Sequence, residues 1–259
     1  MNKFRILCLG EALVDRLGPP GGDPAFDKPV TDCLGGAPAN VACGLARLGV
    51  DVAFIGCVGN DSIGDQFQDL FCERQINLDG LQVNKNFPTR IVLVKRALNG
   101  ERTFGGFVGG KSNIFADQKL DLDHLKQKWS SLLANAGCLL LGTIPLAKED
   151  LRKLVEWTIS QSVNEGLNIA IDVNWRPTFW NADFSSNTPP NESIHSVIYP
   201  FLEKAKLLKF AKEEALCFFQ CDIPTMISES LPQRPNVIVT DGGNNIRWSV
   251  GRFSGEAKA

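Results

Sequence analysis

Five short stretches of this 259-residue chain carry residues able to do chemistry. Glu11 and Asp15 come just past the apolar run Ile6-Leu7-Cys8-Leu9. A carboxylate offers two acceptor oxygens, which suits a vicinal diol; a solvated loop acid fits the same position. Gly35 and Gly36 have no Cβ, so the backbone there can take positive φ and approach a ligand closely. The next residues read as a helix. Pro38 suits its first turn, Val41, Leu45 and Leu48 recur at helical spacing with Ala42 and Ala46 keeping that face thin, and Gly49 stops it. Asn40 is a polar side chain in the first turn, beside free N–H groups and the positive end of the helix dipole. Taken alone, the glycine pair reads equally as an ordinary turn with Asn40 as a local cap. Asp172-Val173-Asn174-Trp175-Arg176 ends another apolar run, and an arginine there can present a planar fork to phosphate oxygens. A structural ion pair between Arg176 and Asp172 or a nearby acid is the other reading. Glu214 stands in the first turn of a predicted helix, where a carboxylate also simply complements the dipole. Val237-Ile238-Val239 leads into Thr240-Asp241-Gly242-Gly243, a strand running into a glycine turn.

The elements that must position these residues alternate. Strands are predicted at 5–10, 52–58, 138–141, 169–173, 206–210, 237–241 and 247–250. Helices are predicted at 37–48, 63–74, 121–134 and 148–165, the second capped by Asp61, with another following 211–214. Such alternation argues for a parallel sheet with helices on both faces. In open sheets of this kind ligands bind at the C-terminal strand edge, where all the stretches above fall. Residues 17–34 are loop-rich and read as a crossing into a lid. Asn99-Gly100 between two β-rich runs, 89–98 and 101–107, predicts a hairpin with a type I′ turn. Residues 181–192 read as a polar loop.

Composition narrows the classes. The chain is 44% hydrophobic and 22% charged, with net charge −2 and a pI near 5.8. There is no basic face or Lys/Arg run, so no nucleic-acid partner is expected. No apolar run approaches membrane length. The eight cysteines contain no C-x-x-C pair, and with only two histidines available a zinc site is not expected. The thiols read as free, which implies a reducing compartment. Met1-Asn2-Lys3 leads almost directly into the first strand, so no targeting peptide is expected there and a cytoplasmic protein is.

The pattern G-G-A-P-A-N-x-A-x-x-L-A-R-L-G at 35–49, followed by a strand and G-x-V-G-x-D-x-x-G at 56–64, resembles the N-terminal motif of the ribokinase-like (PfkB) sugar kinases. The match is closest to the fructokinase branch. It continues through Asp172-Val173-Asn174-Trp175-Arg176 and Val239-Thr240-Asp241-Gly242, and so covers essentially the whole chain. The resemblance implies a single three-layer α/β domain over 1–259, with a mostly parallel sheet, and a small β lid formed by about 14–34 and 88–110. It implies ATP and Mg2+ as cofactors and a small-molecule sugar as substrate, most simply fructose converted to fructose 6-phosphate. Another sugar such as ribose or 2-keto-3-deoxygluconate, a non-catalytic sugar-binding relative, and a different α/β enzyme on the same scaffold are the other readings. It implies Asp15, Gly35, Gly36, Asn40 and Asn174 at the sugar, Arg176 at the transferring phosphate, and Lys209, Thr240 and Gly242 at the nucleotide. Glu214 would meet magnesium through water, although Ala211 replaces the asparagine of the family's N-x-x-E. Lys111 falls where the chain returns to the sugar site, as a sugar contact or a solvated lysine. A homodimer through the lid is a further implication. The family's second motif, resembling D-T-x-G-A-G-D, does not occur in these residues. The catalytic Asp is therefore expected beyond Ala259, with the C-terminal part of the fold missing and the chain as given inactive. A general base is typically worth about 100- to 10,000-fold in rate.

Overall fold

The computed structural model describes residues 4–100, 102–110 and 114–259. Lys111, Glu101 and the Met1-Asn2-Lys3 leader lie outside the described residues. A nine-stranded sheet carries the molecule. Its strands are β1 (Arg5–Leu9), β4 (Val52–Gly59), β5 (Asn77–Asn84), β8 (Ala136–Gly142), β9 (Asn168–Asp172), β10 (Leu207–Ala211), β11 (Asn236–Thr240), β12 (Ile246–Val250) and β13 (Phe253–Ala257). They run in the order β13-β12-β11-β10-β9-β8-β1-β4-β5. Every pairing from β11 through β5 is parallel, and β12 and β13 add an antiparallel edge.

Helices cover both faces because alternate side chains of a strand point opposite ways. Leu7 and Leu9 enter one apolar cluster, and Cys8 enters another. The first cluster holds the apolar stripes of α3 (Leu122–Leu133), α4 (Glu149–Asn164) and α6 (Glu192–Leu202), and also Phe218 of α7 (Lys212–Phe219) and Ile227 of α8 (Pro224–Ser230). The second holds Ala39 and Ala42 of α1 (Ala37–Arg47) with Phe67 and Phe71 of α2 (Ser62–Glu73). Asp61 caps α2 as predicted, its Oδ1 accepting from the Gly64 N–H at 2.8 Å. In α1 Pro38, Ala39 and Ala42 are buried and the predicted Val41 and Leu45 pack, partly buried, against the same cluster, while Leu48 is 80% exposed and not part of the packed face.

A second sheet of four strands stands over one end of the first. It has the order β3-β2-β6-β7, with β2 (Leu13–Pro20), β3 (Thr31–Gly35), β6 (Ile91–Arg96) and β7 (Arg102–Phe107). Residues predicted as loop at 17–34 thus contain the end of one strand and most of another. The short helix α5 (Pro177–Trp180) packs beneath it, and Leu13, Val92, Phe107, Phe115, Ile144 and Phe179 form a small apolar cluster joining the two.

The hairpin of β6 and β7 forms, but not with the predicted turn. A type I′ turn needs positive φ at both central residues. Only Gly100 has it, at 86°, and its N–H donates to the Ala97 carbonyl at 2.9 Å. The strands therefore separate after the Arg96–Arg102 pair, and the connection is longer than two residues. Residues 181–192, predicted as loop, run into α6 at Glu192.

Candidate functional site

The end of β1 and the start of α1 meet at Gly36. Its φ of 100° lies in the region that favours glycine, and a Cβ there would collide with the carbonyl oxygen of Glu11. The backbone of the glycine loop therefore lies directly against the β1–β2 turn. Ala37 donates its N–H to Glu11 Oε1 at 3.1 Å, tying the turn to the first residue of the helix.

Between this junction and the small sheet lies a cavity of about 400 Å3, a size suited to a small molecule. Its floor includes Gly36, Asn40, Asn174 and Arg176. Its other wall is the small sheet: Leu13 and Asp15 of β2, Val92 and Val94 of β6, Arg102 and Phe104 of β7. Leu13 and Asp15 share a face because they are two apart on one strand. Phe179 of α5 and Glu11 complete the lining.

Five of the predicted residues, Asp15, Gly36, Asn40, Asn174 and Arg176, thus converge on one space. Gly35 does not line it. Instead it leaves room for Asp15, whose Oδ2 lies 3.1 Å from where a Gly35 Cβ would stand. The ion pair considered for Arg176 is not the one formed. Asp172 Oδ1 lies 3.1 Å from Lys209 Nζ, and Arg176 donates to the carbonyl of Trp175 at 2.9 Å. Asn174 holds a left-handed backbone with φ 42°, a conformation uncommon outside glycine that bends the chain back toward the cavity.

The charges in the cavity are balanced against burial. Desolvation raises the Asp15 carboxyl above its ordinary range, and the Arg176 and Arg102 guanidinium groups pull it back. Burial pushes Glu11 up to about 7, against hydrogen bonds from its own N–H and that of Ala37. Two cationic groups and two carboxyls therefore face one hollow with apolar walls, an arrangement matched to a neutral polyhydroxyl molecule with an anionic group entering on the Arg176 side.

Lys209, Thr240, Gly242 and Glu214 lie elsewhere, along the C-terminal ends of β10 and β11 and the start of α7. Thr240 Oγ1 donates to the Phe210 carbonyl at 3.3 Å. Gly242 and Gly243 have no atom within 4 Å of where a Cβ would stand. The turn is bare on its outer side, leaving its backbone open to a ligand. Glu214 is buried, and its oxygens accept the N–H groups of Trp175 and Ala211, each at 2.7 Å. It caps the Ala211 N–H at the start of α7, which has no side-chain cap of its own, and holds the 172–176 loop against α7. Burial raises its carboxyl above the ordinary range. Among the described residues no group of three or more His, Cys, Asp or Glu side chains could hold a metal.

Sequence reasoning assigned nothing to Arg90 or Asp117, and flagged Glu11 only by its position past the first strand. Arg90, fully buried, makes a two-point pair with Asp117 at 2.8 and 3.0 Å. Its guanidinium lies 5.0, 4.5 and 4.6 Å from the ring centres of Phe107, Phe115 and Phe179. Only tertiary packing brings these residues together, so no local pattern could have announced them.

Comparison with known proteins gives the arrangement its relatives. The model of the pfkB family carbohydrate kinases matches residues 3–259. Probable fructokinase-6, chloroplastic, of Arabidopsis thaliana is 27% identical over 256 residues, covering 96% of this chain. The chain spans 62% of that relative's length. The crystal structure of fructokinase from Xylella fastidiosa superimposes with a TM-score of 0.80 at 28% identity, covering 98% of this chain and 75% of that one. The same enzyme with bound ATP gives a TM-score of 0.79. A family match over nearly every residue, joined to the converging glycine loop, acid and arginine, places this chain in the pfkB family of carbohydrate kinases.

Proposed function

We propose that this chain binds a monosaccharide, fructose best, in the cavity between its two sheets, and presents it for phosphorylation by ATP. The observation that carries this reading is the convergence of Asp15, Asn40, Asn174 and Arg176 around the bare backbone of Gly36. Asp15 accepts hydrogen bonds from sugar hydroxyls, Asn40 and Asn174 offer both donors and acceptors, and Arg176 meets the transferring phosphate. Phosphoryl transfer depends mainly on such positioning and charge stabilisation. Lys209, Thr240 and the open turn at Gly242 would hold the nucleotide, in keeping with the ATP complex of the Xylella fastidiosa enzyme. Magnesium would arrive with the nucleotide and meet Glu214 through water. The general base belongs to the D-T-x-G-A-G-D motif, which is not among these residues; this chain's own residues bind and orient the sugar. The small sheet would act as the lid and as a dimer surface, where Phe26 and Leu98 are 86% and 87% exposed. A cytoplasmic setting agrees with eight free thiols.

The test is a comparison of sugars. Titration of the chain with fructose, ribose and 2-keto-3-deoxygluconate is expected to rank fructose tightest, and any ADP formation from ATP is expected to follow the same order. An equal or absent response to all three would sink the assignment. Asp15→Ala is expected to abolish the sugar response and leave ATP binding intact. Loss of both together would show misfolding instead.

A further inference from the structure

Glu11 lines the sugar cavity and has no part in the reading above. It follows Gly10 at the end of β1 and is 3% exposed. One of its oxygens is committed, since Oε1 accepts the Ala37 N–H at 3.1 Å. The other, Oε2, is buried without a hydrogen-bond partner. A buried acceptor left unpaired is costly, and native structures seldom keep one without a ligand or water to meet it. Two spaces border this carboxyl. In front is the cavity shared with Asp15, Asn40, Asn174 and Arg176. Behind is a hollow of about 10 Å3 bordered by Arg90, Asp117, Gln118 and Lys148, barely room for one water. The ionic groups of that rear hollow largely satisfy each other, since Arg90 and Asp117 are paired at two points. The front cavity is open and is where hydroxyl donors arrive.

We infer that Glu11 is a second sugar-binding carboxylate, whose Oε2 accepts a hydrogen bond from a sugar hydroxyl not held by Asp15. The inference rests on the proposed sugar site. It assigns two acids on one β1–β2 connection to two parts of the same ligand, with α1 holding Glu11 in place through Ala37. The ionised form is the pure acceptor, and hydrogen bonds to a charged group are the stronger ones. Binding therefore strengthens as Glu11 loses its proton. The charged groups that face it are Arg176, Arg102 and Asp15 from the cavity, Arg90, Asp117 and Lys148 from the rear, and the N-terminus of α1. Burial holds its titration near pH 7, so the change falls within an accessible range.

The experiment is a fructose titration of the chain at pH 6 and pH 8, followed by saturation-transfer NMR, for the wild type and for Glu11→Gln. Wild-type affinity is expected to rise toward pH 8 by several-fold, with a ceiling of about tenfold for one carboxyl titrating near 7. Glu11→Gln, which keeps the shape and an acceptor for Ala37, is expected to lose the pH response and to bind roughly three- to thirtyfold more weakly at pH 8. A folded Glu11→Gln with wild-type affinity would mean that a buried water alone meets Oε2, and would overturn the inference. So would wild-type affinities within about twofold of each other at the two pH values, a comparison that needs no variant to fold. Absence of fructose binding by the wild type at either pH would overturn the sugar-site reading itself, and this inference with it; a failure limited to the Glu11 comparisons leaves that reading standing.

Discussion

At the scale of single residues, two glycines of α1's neighbourhood separate what space and backbone angle each demand. Gly36 combines a φ of 100° with a carbonyl oxygen where a Cβ would go. Gly44, inside the helix, has no atom within 4 Å of that place. Gly36→Ala is expected to cost roughly 2 kcal/mol or more, and Gly44→Ala to stabilise by about 0.5–1 kcal/mol, both read from urea unfolding. A neutral Gly36→Ala would show that the loop can shift away from Glu11. Glu11 itself predicts a pH dependence of stability. Its folded carboxyl titrates at about 7 against an ordinary 4.5. The folded state then holds the proton more tightly than the unfolded one, so the contribution is fully present below pH 4.5 and is lost as pH rises through 7. Asp15 and Glu214 shift the same way. The full swing for Glu11 is of the order of 3 kcal/mol. Unfolding midpoints are expected to fall between pH 5 and pH 8, and to fall less in Glu11→Gln; equal slopes in the two proteins would show that Glu11 does not titrate in this window.

At the scale of elements, legibility followed whether a residue's role was local. Asn174 and Arg176 were legible because they lie just past β9, and a parallel sheet gathers such ends on one edge, whereas Gly36 and Asn40 stood out as a glycine pair running into a helix and Asp15 sits within β2. β2 and β3 read as loop from their residues, because Pro19-Pro20, Gly21-Gly22 and Pro24 look like loop, although the resemblance implied a β lid there. The pairing of β2 with β6 and β3, which makes them strands, is set by distant sequence. β5 was missed because it is polar on its open side. Its Gly80 is required by the close passage of Ile55, which no local pattern shows. The Arg90–Asp117 pair belongs to the same class, and it anchors the small sheet to the segment before α3. Removing one partner of a buried pair leaves a charge uncompensated. Asp117→Ala is expected to cost about 3–5 kcal/mol, while replacing both residues by apolar ones of similar volume costs much less. A double-mutant cycle in urea reads the difference. If the single and double replacements cost the same, the three phenylalanines rather than Asp117 are what hold Arg90.

At the scale of the whole molecule, the proposed sugar cavity lies at a seam between two sheets. The small sheet meets the main body through apolar packing, in which Val14, Leu34 and Ile91 join the cluster of Phe54 and Ala42, and through polar contacts such as the Arg90–Asp117 pair. A ligand held by Asp15 on β2 and by Asn174 and Arg176 beyond β9 would add a third connection across that seam. Binding to the folded state alone stabilises it by about 2.7 kcal/mol at one hundred times Kd. For a chain of this size that corresponds to a rise in Tm of roughly 5–10 °C. Fructose is expected to produce such a rise, and a linear polyol at equal concentration to produce none. Because the ligand spans the seam, amide exchange should slow in β2, β6 and β7 as well as around α1. A rise in Tm with protection confined to α1 would mean that the sugar touches only the floor of the cavity and that the small sheet does not close over it.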